Sequence, residues 1–174
     1  MLFFDIIAIR FKEKNIKDFN FMKKDEILSA IGIFFGIGIV ALVSKSIDNN
    51  LLLAPFGATS IIAFLLYDSE YAQPRNIILG YIITSIVGIL MAYILGHNWI
   101  VYALGVAIAM LVKSWFKAIH PPSAAMPIIL LKANEQGIIY YFLFDVIPGI
   151  CLLVFIAIVY NRFILHRDYP LWHR

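Results

Sequence analysis

Apolar residues run in long blocks along this chain, and polar residues fill short gaps between them. The blocks are Ile27–Val43, Leu51–Tyr67, Ile77–Leu95, Trp99–Val112, Pro121–Leu131 and Ile138–Tyr160. A helix satisfies its own backbone hydrogen bonds, so lipid tolerates long uncharged helical segments. The pattern predicts an all-α integral membrane fold with about six transmembrane segments. Two segments break the pattern. The second opens with Pro55 and Gly57, and the fifth is only about half the ~20 residues a span needs. The sixth is interrupted by Asp145 and by Pro148-Gly149. Glycine and alanine at four-residue spacing, Gly32/Gly36 and Gly88/Ala92/Gly96, predict close helix packing.

Outside the blocks, Leu2, Phe3, Ile6, Ile7 and Phe11 share one helical face, away from Arg10, Lys12 and Lys14. Residues 1–25 are therefore expected to lie on the membrane as an interfacial segment, with an unstructured cytoplasmic tail as the alternative. The N-terminus lacks a basic start and a cleavage site before an apolar core, and is read as no signal peptide. The transmembrane domain is expected over 26–163, followed by a basic cytoplasmic tail over 164–174.

Composition sharpens this picture. The chain is 62% hydrophobic and 14% charged, with a mean hydropathy of +0.87. A soluble domain carries about a quarter charged residues. The net charge of +3 does not point to nucleic acid, because the basic residues flank the apolar blocks. The lipid bilayer is the expected partner. One cysteine, Cys151, excludes an intrachain disulfide and is expected to be a packed thiol. One Cys and four scattered His give no metal cluster, and no cofactor is expected. Asp68 and Glu70 share a loop without a partner His, so the chain is not read as an enzyme.

The charges also set the number of crossings. With six crossings and a cytoplasmic N-terminus, twelve Lys and Arg fall on one side and only Lys45 and Lys132 on the other. With both Pro segments re-entrant, the split falls to nine against five. The positive-inside bias favours six, with both termini cytoplasmic.

The two odd segments resemble each other. Pro55-Phe-Gly-Ala58 aligns with Pro121-Pro-Ser-Ala124, and Ile62 and Leu65 align with Ile128 and Leu131 at the same offset. Each lies between two longer blocks, which predicts an inverted repeat of three segments, over about 26–96 and 98–163. Its two Pro-broken segments are expected to meet near the midplane. Proline suits a helix first turn, and small neighbours would leave the first N–H groups uncovered. Two such ends would suit an anion. The candidate binding residues are Pro55, Phe56, Gly57, Ala58, Thr59, Ser60, His120, Pro121, Pro122, Ser123 and Ala124, with hydroxyls as added donors and His120 as donor, proton carrier or helix cap.

The segments LAPFGATS (53–60), AQPRN (72–76) and HPPSAA (120–125), with RDYP (167–170) in the tail, resemble the signatures of the HPP family of small integral membrane proteins. The resemblance covers roughly 27–170. It departs at Ser123-Ala124-Ala125, where Ala-Gly-Ala is expected after the triplet. It implies transport, and relatives from chloroplasts and cyanobacteria are associated with nitrite. A small inorganic anion is thus the expected partner, and a bacterial inner membrane the expected location.

Four more polar residues are candidates for a vestibule or gate. Arg75 and Asn76 would attract anions or anchor a helix. Lys113 would pair with a carboxylate or snorkel to the interface, and the latter is preferred. Asp145 lies within the last block, where carboxylates are costly and usually functional. The competing functions are a membrane-embedded sensing or assembly partner without transport and, less favoured, a membrane enzyme. Six short helices enclose little volume, which points to a homo-oligomer.

Overall fold

A computed structural model of the chain describes residues 24–132 and 137–171. The first helix, α1, runs Lys24–Ser46; α2 is Pro55–Leu65, α3 Pro74–Leu95 and α4 Trp99–Trp115. A 3₁₀ turn, Pro121–Ala125, runs directly into α5, Met126–Lys132. The last rod, α6, extends over Ile138–Ile164. Among the described residues there is no strand. The expected interfacial helix falls on residues 1–23, outside the described residues, while Lys24 and Asp25 already belong to α1.

Local sequence explains where these helices begin and end. Pro55 and Pro74 sit in the first turns of α2 and α3, where their missing N–H costs nothing. The Asn98 side chain accepts hydrogen bonds from the N–H groups of Ile100 and Val101 and starts α4. Gly96 stops α3 with φ of 72°, a backbone angle other residues rarely adopt. In α6, Tyr141–Val146 and Tyr160–Ile164 wind as π-helix. Pro148 cannot donate within the helix, and the Asn49 amide takes up the Phe144 carbonyl at 3.0 Å.

Two ends of the bundle can be told apart by their contacts. At one end, Ser29 near the start of α1 donates to the Phe64 carbonyl at the end of α2, and Asn161 of α6 donates to Ala63. This end also carries Arg75. At the other end, the Leu51 N–H donates to Ser44 of α1, and the Asn50 N–H donates to Asp145 of α6.

These contacts show how the short segments bridge the bundle. By length and composition, α1, α3 and α6 can each cross a membrane. Helix α2 has 11 residues, about 16 Å at 1.5 Å per residue. Its irregular lead-in, Leu51–Ala54, adds the missing reach, so that α2 runs back along α1 from Ser44 to Ser29. The fifth segment uses the same device. Lys117–His120 is irregular, and the Pro121–Lys132 helix then returns alongside α4. Its start meets Lys113 near the end of α4, and the Leu131 carbonyl meets His97 just before α4, at 2.5 Å. Among the described residues, six helical segments therefore alternate in direction between the two ends.

Phe56, Phe64, Tyr81, Met126, Leu130 and Leu153 are fully buried between the helices. Close approach depends on absent side chains: a Cβ on Gly149 would run into the Leu51 carbonyl oxygen. On Gly88 it would stand 2.9 Å from the Pro127 backbone. Association of helices in lipid rests on such packing rather than on hydrophobic burial. Phe34, Leu42, Ile94, Leu111 and Phe155 point outward, and the exposed rings of Trp99 and Trp115 mark the two ends of α4. Cys151 is a correction to the sequence reading: it is exposed on the outer face of α6 rather than packed.

The tail folds back onto the Arg75 end. The Arg167 guanidinium donates to the Phe64 carbonyl, to Asn161 Oδ1 and to Ser29 Oγ, and it stacks over the Tyr67 ring at 4.4 Å. The Tyr169 hydroxyl donates to the Ala72 carbonyl at 2.7 Å. Leu171 N–H donates to the Gln73 side chain. Residues 167–171 are thus tied to the link between α2 and α3.

Candidate functional site

The two proline segments do meet. Thr59, one turn into α2, lies with its hydroxyl 2.9 Å from His120 Nε2 and 2.8 Å from the Tyr81 hydroxyl. All three side chains are fully buried. The Phe56 ring packs edge-on against Tyr81, with centroids 5.5 Å apart, and closes the cluster from the α2 side. The meeting point is off-centre. Tyr81 stands seven residues into α3, ~10 Å from the Arg75 end at 1.5 Å per residue. The α3 helix has 22 residues in all.

The direction of this chain follows from one carbonyl. His120 Nδ1 lies 2.8 Å from the Tyr71 backbone oxygen, which can only accept. Nδ1 therefore carries a proton. In the neutral ring Nε2 is then an acceptor, so the Thr59 hydroxyl donates to it and Tyr81 donates to Thr59. The Tyr81, Thr59 and His120 donors thus all point toward Tyr71.

Beside this chain lies a buried amine. Lys113 is only 3% exposed, and its Nζ donates to the His120 carbonyl and to Ser123 Oγ, both at 3.1 Å. The Ser123 hydroxyl in turn donates to the same carbonyl at 2.8 Å. Among the described residues Lys113 has no carboxylate partner. Snorkelling to the interface is thus corrected. The side chain turns inward because the Pro121–Ala125 turn presents a carbonyl and a hydroxyl there. Gly80 makes room: a Cβ on it would stand 3.0 Å from His120 Cβ and 3.1 Å from Ser123 Oγ.

A cleft of about 370 Å³ opens at the Arg75 end, lined by Asp68, Glu70, Gln73, Arg75, Asn76 and Lys117 among others. Arg75 donates to the carbonyls of Phe116 and Lys117 and secures the turn after α4, where Lys117 has a φ of 50°. Asn76 donates to the Glu70 carbonyl. A second hollow of about 230 Å³ shares Glu70, Asn76 and Lys117 with the first and reaches Tyr71. The cleft therefore approaches the residue on which the hydrogen-bonded chain ends. Pro170 and Leu171 of the tail line its rim. Burial beneath that rim pushes the Tyr169 phenol up.

The remaining candidates lie differently from expectation. Gly57 and Ala58 are exposed, with nothing within 4 Å of a Cβ built on Gly57. The N–H groups of Phe56 and Gly57 are not open donors; they bond the carbonyls of Leu53 and Ala54. The Ser60 hydroxyl returns to the Gly57 carbonyl, and Pro55 is buried beside it. The Ser123 N–H likewise bonds the His120 carbonyl, so His120 caps with its backbone and not its ring. Pro121 is exposed, while Pro122 and Ala124 are half-buried. The open-helix-end picture thus gives way to a side-chain cluster. Asp145, 3% exposed, sits at the opposite end of the bundle and does not join it.

Tyr81, Gly80 and the Tyr71 carbonyl are the parts that sequence reasoning missed. One signal was present: Gly80-Tyr81 and Thr84-Ser85 interrupt an otherwise aliphatic block with small and hydroxylated residues one turn apart. Thr84 bonds back to its own helix, whereas buried Ser85 has no hydrogen-bond partner among the described residues. Among the described residues no group of His, Cys, Asp and Glu could hold a metal ion.

Comparison with known proteins places the chain in a family. A curated transmembrane protein of Dictyostelium discoideum is 30% identical over 151 residues, covering 80% of this chain and 52% of that relative. A second transmembrane protein of the same organism is 30% identical over 154 residues, covering 83% of this chain and 50% of the relative. The chain thus spans about half the length of the curated relatives it matches. No solved structure matches it. The model of the HPP transmembrane region matches residues 20–170, and the chain belongs to that family of integral membrane proteins.

Proposed function

We propose that this protein moves a small inorganic anion across the membrane, with nitrite the first candidate, and that Lys113 supplies the charge that attracts it. One observation carries the reading. The Lys113 amine is buried, held by a carbonyl and a hydroxyl, and has no carboxylate partner among the described residues. A buried charge is costly until it is paired, and intramembrane ionisable groups usually serve a pathway. An anion beside Nζ supplies the missing countercharge. Ser123 Oγ stands 3.1 Å from the same amine, and the His120 ring carries the line of polar groups on to Thr59 and Tyr81.

The architecture supports a transport role. The two proline-initiated segments, α2 and the Pro121–Lys132 helix, run in opposite directions and touch at Thr59 and His120. Paired broken segments at a repeat interface are a common plan for a transporter site. The Arg75 end carries Arg75, Lys117, Arg162 and Arg167, whereas Lys45 and Lys132 lie toward the other. The positive-inside bias then puts the Arg75 cleft in the cytoplasm, as the mouth of the path.

A flux screen in proteoliposomes tests this reading. Nitrite, nitrate, chloride, formate and bicarbonate are each offered with and without a pH gradient. At least one anion is expected to move at a rate above protein-free vesicles. Absence of flux for all five would overturn the proposal in favour of a sensing or assembly role.

A further inference from the structure

We infer that Tyr81 is a substrate-binding residue, and that its hydroxyl turns to the anion when His120 takes up a proton. The inference rests on the anion reading above and assigns a proton to each anion bound. Its basis is the fixed polarity of the chain. Because the Tyr71 carbonyl holds the Nδ1 hydrogen, a second proton can enter the ring only at Nε2. Nε2 then becomes a donor to Thr59 Oγ1 at 2.9 Å, which frees the Thr59 hydrogen to turn to the Tyr81 oxygen at 2.8 Å. In that arrangement the Tyr81 hydroxyl is released to another acceptor. Among the described residues, Tyr81 Oη has Thr59 as its one hydrogen-bond partner. The added proton is taken from solvent, and no covalent bond other than Nε2–H forms.

A second observation points to a ligand here. Ser85 lies one turn beyond Tyr81 on the same face of α3. It is fully buried, and among the described residues its hydroxyl has no hydrogen-bond partner. A ligand oxygen that reached Ser85 Oγ would satisfy it.

The charges around His120 set the direction of the linkage. Thr59 faces it from α2, Tyr81 from α3 and Lys113 from α4, with Ser123 on its own turn and Tyr71, next to Glu70, on the link. Arg75 holds the turn just before it. Lys113 disfavours a positive imidazole while the site is empty. An anion offsets that repulsion, so anion binding draws a proton onto Nε2 and proton binding strengthens the anion.

Isothermal titration of nitrite into the purified full-length protein at pH 6.5, in buffers of different ionisation enthalpy, counts the protons taken up. The wild-type protein is expected to take up about one proton per nitrite. Y81F and T59V should bind nitrite more weakly and take up almost none, whereas T59S, which keeps the hydroxyl, should retain the uptake. A thermal unfolding scan confirms that each variant is folded. Nitrite binding without proton uptake in wild type, or full uptake in folded Y81F or T59V, would overturn the inference and leave the anion reading standing. No heat of binding from nitrite in any buffer would overturn the inference and the choice of nitrite.

Discussion

His120 Nε2 lies 2.9 Å from the Thr59 hydroxyl, although 61 positions separate the two residues in the chain. The contact joins one proline-initiated segment to the other and fixes the depth of the site. It also sets the rules for perturbing the protein, because each neighbour of this pair has a defined donor or acceptor duty.

Gly57 and Gly80 provide a matched contrast. A Cβ on Gly57 meets nothing within 4 Å, whereas on Gly80 it stands 3.0 Å from His120 and 3.1 Å from Ser123. Gly57→Leu is expected to leave anion flux within about twofold of wild type, as outward-facing substitutions usually cost under about 0.5 kcal/mol. Gly80→Leu is expected to abolish flux by displacing the His120 turn. Initial rates in proteoliposomes check both. A silent Gly80 variant would mean the cluster is not on the path.

The tail should act on the same site from a distance. Tyr169→Phe removes the donor to the buried Ala72 carbonyl. Leaving a buried acceptor unsatisfied costs about 1–3 kcal/mol. Thermal unfolding in detergent should show a lower Tm, and the α2–α3 link should exchange its amide hydrogens faster. An unchanged Tm would show that the tail is not held by this bond.

Arg167→Ala is expected to destabilise more than the Tyr169 change. The guanidinium caps the end of α2 and ties it to Asn161 and Ser29, so three partners lose their donor together. Each buried acceptor left unsatisfied costs about 1–3 kcal/mol. Denaturation midpoints of Arg167→Ala and Arg167→Lys give the check. The lysine variant should recover only part of the loss, because a single ammonium cannot span three acceptors at once.

Much of this was legible in the sequence, and the residues show why. Apolar block length and the proline positions exposed the helical plan, since both act locally. The pairing of the two proline segments followed from their matching Pro, Ala, Ile and Leu positions. The chemistry at their meeting point was less accessible. The expected open N–H groups are used by carbonyls three residues back, because each lead-in turns tightly before its helix. Lys113 reads from its sequence neighbours as an interface anchor near a helix end. Only packing shows that the Pro121–Ala125 turn meets its amine. Tyr81 was overlooked for the same reason: its role depends on Thr59 and His120, both remote in the chain.

The central claim is that Lys113 holds the anion, and flux through Lys113→Met tests it most directly. Methionine keeps the length and apolar stem of the side chain and removes the charge. Loss of a charge-assisted hydrogen bond of about 1.5–3 kcal/mol corresponds to a fall of roughly 10- to 150-fold. Nitrite flux into proteoliposomes is expected to fall by at least about tenfold, while Tm shows a folded protein. Nitrite flux equal to that of wild type in folded Lys113→Met would contradict it.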